Sequence, residues 1–132
     1  MIVVDASVLV AALTANGDDG GRARGRLRGK TLAAPEIVDL EVSSVLRRLL
    51  LNGLLPARRA EQALSDLVDL PLRRAPHRAL LSRCWSLREN LTIYDASYVA
   101  LAEALDLVLV TSDARMSRAQ GPRCQVDVLT PL

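Results

Sequence analysis

Two rhythms of apolar residues run along the chain. Ile2-Val3-Val4 is a β-branched run that stops at Asp5, and it predicts a buried strand. From Ala6 to Thr14 the residues favour helix, with Asn16-Gly17 as a stop. Gly17 to Gly21 reads as a loop, followed by the basic stretch Arg22 to Lys30. Leu32-Ala33-Ala34 predicts a weak second strand, and Pro35 after it suits the first turn of a helix. Val38, Val42, Val45, Leu46 and Leu49 recur at helical spacing, and Asn52-Gly53 ends that helix after Leu51. Further helices are expected from Pro56 to about Asp69, over Arg78 to Glu89, and from Thr92 through Ala104, with an edge strand between Pro71 and Pro76. Leu107-Val108-Leu109-Val110 is the clearest strand; a short helix opens at Ser112-Asp113, and Val126-Asp127-Val128 is a last strand.

Strands apolar on both faces and alternating with helices imply an α/β chain: a three-layer α/β/α sandwich with a central, mostly parallel sheet. The 132 residues suit a single domain spanning 1–132. Half the residues are hydrophobic and a quarter charged, which excludes a disordered chain. Aromatics are confined to Trp85, Tyr94 and Tyr98, so a base-stacking platform for single strands is not expected. His77 is the only histidine, which excludes two-histidine acid–base chemistry and a His-rich zinc site. His77 itself reads as a loop residue, and Trp85, set among Leu81 and Leu87, as core. Cys84 and Cys124 form no C-x-x-C and read as reduced thiols of a cytoplasmic protein. No apolar run approaches the ~18 residues of a membrane span, and Asp5 splits the N-terminal apolar run, so neither membrane contact nor a signal peptide is expected. The net charge of +2 dictates no partner.

Candidate chemistry lies in carboxylates. In a doubly wound sheet, reactive groups gather at the carboxyl ends of the strands. Asp5 follows the first strand directly and Asp113 follows the Leu107–Val110 strand, so parallel pairing brings both to one edge. Helix capping alone also accounts for an Asp at either position. Glu41 and Asp95 are harder to explain that way. Glu41 shares a helix face with Ile37, Val38 and Val45, and Asp95 with Val99 and Ala102, although Thr92 to Asp95 also has capping-box spacing. A buried carboxylate costs several kcal/mol unless it is paired or holds a metal, and neither stripe carries a cation at i±4. Four acids at one edge call for a shared cation, and all-oxygen ligation suits Mg2+ or Mn2+. Such ions activate water and steady phosphoryl displacement.

Four blocks of the chain resemble the PIN-domain nucleases, and within them the VapC ribonuclease toxins of bacterial toxin–antitoxin pairs. They are Val3 to Leu13, Pro35 to Val42, Thr92 to Ala102 and Val110 to Arg115, in matching order and spacing. The resemblance implies a compact α/β/α domain that cleaves RNA with Mg2+ or Mn2+. The family's acidic residues map onto Asp5, Glu41, Asp95 and Asp113, with Ser7 as a polar second member of the first motif. By position, Arg115 and Arg118, two and five residues after Asp113, are expected to reach either substrate phosphate or an acidic partner segment, so Ser7 and Arg115 are expected to assist at the substrate. The further Asp of many relatives is replaced here, where Met116, Ser117 and Arg118 stand, which puts a second metal position in question. Partners implied are an RNA substrate, a cognate antitoxin seated on an apolar groove, and a second copy in a homodimer. Val8, Leu9, Leu13, Leu54 and Leu55 are groove candidates, with core burial as the alternative.

Other signals lead elsewhere. The stretch Gly25 to Thr31 is one residue short of a phosphate-binding loop and precedes a strand instead of following one. Arg22, Arg24, Arg26, Arg28 and Lys30 either grip RNA phosphates or form a solvated face. The competing functions are a catalytically silent PIN-like module binding RNA or protein, and a Mg2+ phosphohydrolase of small molecules.

Overall fold

The computed structural model describes residues 1–129, so 130–132 of the expected 1–132 domain lie outside the described residues. Five strands form one all-parallel sheet: β1 (Ile2–Val4), β2 (Leu32–Pro35), β3 (Leu72–Ala75), β4 (Leu109–Thr111) and β5 (Val126–Val128). Their order is β3-β2-β1-β4-β5. The chain therefore winds outward from β1 to β3, then crosses back to β4 and continues to β5. Right-handed crossovers put the helices of the two halves on opposite faces of the sheet.

On one face α1 (Ala6–Thr14) packs against α2 (Gly17–Leu27), α3 (Val38–Leu51) and α4 (Ala57–Asp69). On the other, α6 (Ile93–Leu105) packs on β1, β2 and β4 and against α5 (Leu81–Ser86), while α7 (Ala114–Arg118) covers β5. Strand order reverses between β1 and β4, and a crevice opens beyond the carboxyl ends of that pair. Val3, Val4, Leu109 and Val110 are fully enclosed beneath it. A chain without Phe builds its core from Val and Leu, and Ala33, Ala34, Ala96, Ala100 and Ala102 let α6 lie close on the strands.

Four expectations change. Gly17 to Gly21 is not a loop but the start of α2, with Asn16 at the N-cap position. Its charges follow the helix dipole, with Asp18 and Asp19 in the first turn and Arg24 and Arg26 in the last. A Cβ on Gly20 would meet the Ala15 carbonyl oxygen at 1.9 Å, so this glycine lets α2 sit against the end of α1. Pro35 ends β2 rather than opening a helix, and α3 begins three residues later. The expected Arg78 to Glu89 helix is a 3-10 turn (Arg78–Leu80) followed by the six-residue α5. Trp85 is 63% exposed, because Leu80, Cys84 and Leu87 take the inward positions of that segment; Arg88 lies 4.7 Å above its ring. His77 lies between β3 and the 3-10 turn and has a partner: its Nε2 accepts the Ile37 backbone N–H at 3.0 Å, at the start of α3. Of the groove candidates, Val8, Leu9 and Leu55 are core, Leu13 is half-buried and Leu54 is exposed. Both cysteines are free thiols. Among the described residues no helix is long and apolar enough to cross a membrane.

Candidate active site

Asp5 stands where β1 hands over to α1, and its carboxylate accepts three hydrogen bonds. Oδ1 accepts the Val8 backbone N–H at 3.3 Å, capping α1, and the Ser7 hydroxyl at 2.6 Å. Oδ2 accepts the Thr111 hydroxyl from the end of β4. Both hydroxyls are themselves anchored by the turn after β4. Ser112 N–H donates to Ser7 Oγ at 3.1 Å, and Asp113 N–H donates to Thr111 Oγ1 at 3.0 Å. Two parallel relays thus run from backbone amides through hydroxyls to the two oxygens of one carboxylate. Each hydroxyl donates its proton to Asp5, whose carboxylate can only accept, and offers a lone pair to the amide behind it.

Glu41, on the first turn of α3, accepts the Tyr98 hydroxyl of α6 at 2.6 Å. Tyr98 is enclosed, and burial together with this carboxylate raises its phenol well above the ordinary range. Asp95 lies on the first turn of α6, where Thr92 caps the helix by accepting Asp95 N–H at 3.1 Å. Asp113 caps α7 by accepting Arg115 N–H at 2.9 Å, and the Arg115 guanidinium grips its carboxylate, with Nη2 2.7 Å from Oδ2. Capping and site chemistry are therefore compatible at Asp5 and Asp113.

The carboxylates divide electrostatically. Burial raises Asp5, Glu41 and Asp95 above the ordinary carboxylate range. Mutual repulsion adds to that: Asp95 acts on both Asp5 and Glu41, Asp5 on Glu41, and Asp113 on Asp95. Hydrogen bonds from Ser7, Thr111, Tyr98 and Thr92 work in the opposite direction without cancelling it. Asp113 is held below the ordinary range, first by its hydrogen bond to Arg115.

The four acids predicted from sequence thus come to one end of the sheet, from β1, α3, α6 and the β4–α7 turn. Among the described residues, however, no three His, Cys, Asp or Glu side chains close into a cage around one point. The geometry gives the reason: Asp5 is turned to its hydroxyls, Glu41 to Tyr98 and Asp113 to Arg115. The donor set is nonetheless all oxygen, and three of its carboxylates lack an ion pair among the described residues, so it fits a hard divalent cation.

Sequence reasoning missed Thr111 and Tyr98. Thr111 is a fully buried hydroxyl at the end of an apolar strand, and Tyr98 lies three residues after Asp95 on the same helical face. Both positions were visible as polar atoms that a core must satisfy. Ser7 and Arg115, expected to touch substrate, are engaged with Asp5 and Asp113. Two cavities flank the acids. One of about 380 Å³ is lined by Asp95, Asp113, Arg115 and Arg88, and one of about 240 Å³ by Ser7, Ser112 and Arg22.

The chain is similar to known proteins over nearly its whole length. Residues 2–122 match the PIN domain family. Ribonuclease VapC9 of Mycobacterium tuberculosis is 43% identical over 129 residues, covering 98% of both chains. Ribonuclease VapC1 of the same organism is 41% identical, covering 96% of both. Among solved structures, PAE2754 from Pyrobaculum aerophilum superposes with a TM-score of 0.69 at 25% identity, covering 96% of this chain and 83% of that one. Mycobacterium tuberculosis VapC20, described as a sarcin-ricin loop cleaving toxin, shares the fold with a TM-score of 0.71 at 19% identity, covering 89% of this chain and 94% of that one. With the sheet order, the carboxylates at the β1/β4 crevice and this similarity over nearly the whole length, the chain belongs to the PIN-domain family, among the VapC ribonucleases.

Proposed function

We propose that this chain is a Mg2+- or Mn2+-dependent endoribonuclease and the toxin of a toxin–antitoxin pair. The observation that carries the reading is the cluster of three half-buried carboxylates, Asp5, Glu41 and Asp95, raised by burial and mutual repulsion with no cation paired to them among the described residues. A module that only bound RNA or protein would gain nothing from that electrostatic cost. The names of the similar ribonucleases support RNA as substrate.

Asp5, Glu41 and Asp95 would hold the ion, with Asp113 joining once its carboxylate leaves Arg115. A bound divalent ion lowers the pKa of water and neutralises charge developing on a phosphodiester. The protein's share is orientation. Ser7 and Thr111 fix the Asp5 oxygens, Tyr98 fixes Glu41, and a released Arg115 guanidinium supplies fork donors to a phosphate. A partner antitoxin follows from the same reading, since a free ribonuclease harms the cell that makes it; a homodimer is proposed on family resemblance alone.

The test is cleavage and growth together. Wild-type chain with Mn2+ is expected to cut RNA and to halt bacterial growth when expressed alone. Asp95→Asn should do neither while melting as a folded protein. A wild-type chain that leaves RNA intact at millimolar Mn2+ would leave the silent module as the reading. Turnover of a phosphate monoester but not RNA would favour the small-molecule phosphohydrolase.

A further inference from the structure

The basic stretch of α2 is not one uniform face. Arg24 is used inside the fold, donating to the Ala12 and Ala15 carbonyls at 3.2 and 3.0 Å, and Arg26 pairs with Asp127 at 2.8 Å. Arg22 is different. It is half-buried, and its Nη2 is enclosed with no acceptor among the described residues. A charged donor shut away from water without a partner is costly, so it marks a place where an acceptor belongs. Arg22 lines the cavity of about 240 Å³ together with Ser7, Ala11, Ala23 and Ser112. That cavity is one side chain from the acidic centre, because Ser7 donates to Asp5.

We propose that Arg22 and the cavity it shares with Ser7 and Ser112 form a phosphate subsite for the RNA strand, next to the cleaved linkage. The inference rests on the ribonuclease reading and deepens it. A strand passing the carboxylates must present its next phosphate a few ångströms away, where the acids repel it unless a cation receives it. Of the arginines that line the cavity beside Asp95 and Asp113, Arg115 is occupied by Asp113, and Arg88 donates to the Trp85 carbonyl and lies over the Trp85 ring. A guanidinium offers two parallel donors to phosphate oxygens, and because Nη2 has no acceptor in its present enclosure, turning the Arg22 guanidinium into the cavity breaks no hydrogen bond of that atom. Exposed Asp19 also lines the cavity but makes no ion pair with Arg22, so it opposes the anion without neutralising the cation.

The probe is a fluorescent single-stranded oligoribonucleotide, titrated by anisotropy with the purified chain in EDTA, so that it stays intact. Arg22→Gln is expected to weaken binding about tenfold and to lower the salt slope by about 0.7, the share of one single-strand phosphate. Arg22→Lys should keep the salt slope while losing part of the affinity, and Asp19→Asn should tighten binding. Arg58→Gln, exposed on α4, should match wild type. Should Arg22→Gln misfold, the Arg22 side-chain Nε–H resonance of the wild-type chain decides: it must shift on titration, and a stationary signal overturns the subsite. A wild-type chain that cleaves RNA while Arg22→Gln binds with unchanged affinity and slope overturns the subsite alone. A chain that neither binds nor cleaves overturns the ribonuclease reading as well. Lost affinity for a polyglutamate peptide with RNA binding untouched gives the cavity to an acidic protein segment, and overturns the proposal.

Discussion

At the scale of residues, the carboxylates of this site differ by what each one touches. Asp5 is raised first by burial, and three hydrogen bonds do not restore it to the ordinary range. A carboxyl whose pKa is raised on folding binds its proton more tightly in the native state than in the unfolded chain. Its stabilising effect is therefore complete below the unfolded value, near 3.8, and is lost as pH rises through the higher native value. Asp5→Asn removes that loss. The metal-free variant should melt above the metal-free wild type at neutral pH, and the difference should shrink as pH falls toward 4. Calorimetric scans across that range check it, and a difference that grows on acidification contradicts the assignment. Asp113 carries the opposite sign, since Arg115 holds its pKa low, but that pair is exposed and contributes little. Tyr98→Phe isolates the Glu41 contact by deleting one hydroxyl from an enclosed ring. It should cost about 1 kcal/mol of stability and weaken Mn2+ binding roughly tenfold. Isothermal titration of both forms separates the two effects.

At the scale of elements, sequence and structure agree where one physical signal dominates and part where two compete. The α3 helix has its expected bounds, Val38–Leu51, because apolar spacing and the Asn52-Gly53 stop point the same way. β1 and β5 also stand where their β-branched residues put them. The four acids proposed for the site lie at the carboxyl edge of the sheet, because each follows a strand or rides on a helical face whose direction the pattern reveals. What the pattern hides is contact between distant segments. α2 carries glycines at 17, 20, 21 and 25, each a poor helix former, and reads as a loop until its packing on α1 is known. Thr111 and Tyr98 acquire their roles only from what lies opposite them, 106 and 57 residues away in sequence. Gly20→Ala tests the packing account against propensity. Propensity alone expects a gain of about 1 kcal/mol in a helix interior. The Ala15 carbonyl at 1.9 Å from the added carbon is backbone and cannot rotate aside, so we expect a loss of roughly 1–3 kcal/mol instead. Urea denaturation gives the sign directly, and a stabilised variant rejects the close-packing explanation.

At the scale of the molecule, five parallel strands send their carboxyl ends to one edge, and helices begin there with acids at their starts. Asp5 caps α1, Asp113 caps α7, and Asp95 stands in the first turn of α6. The positive ends of these helices ease the repulsion among the acids but do not remove it, since Asp5, Glu41 and Asp95 remain raised. The fold therefore carries an electrostatic cost in the metal-free state that a divalent cation is suited to relieve. Because the unfolded chain does not assemble the four acids, binding must appear as stability, about 2.7 kcal/mol at a metal concentration a hundred times Kd. It must also expel the protons that the raised carboxyls hold, because ligation requires the charged forms. Mn2+ should accordingly raise the melting temperature and release protons, the latter read by calorimetry in buffers of different ionisation enthalpy. The Asp5→Asn, Asp95→Asn double variant, already relieved of two charges, should melt above metal-free wild type and respond to neither addition. A wild-type chain that shows no thermal shift and no proton release at millimolar Mn2+ does not use its carboxylates as a metal site, and the catalytic reading falls with that result.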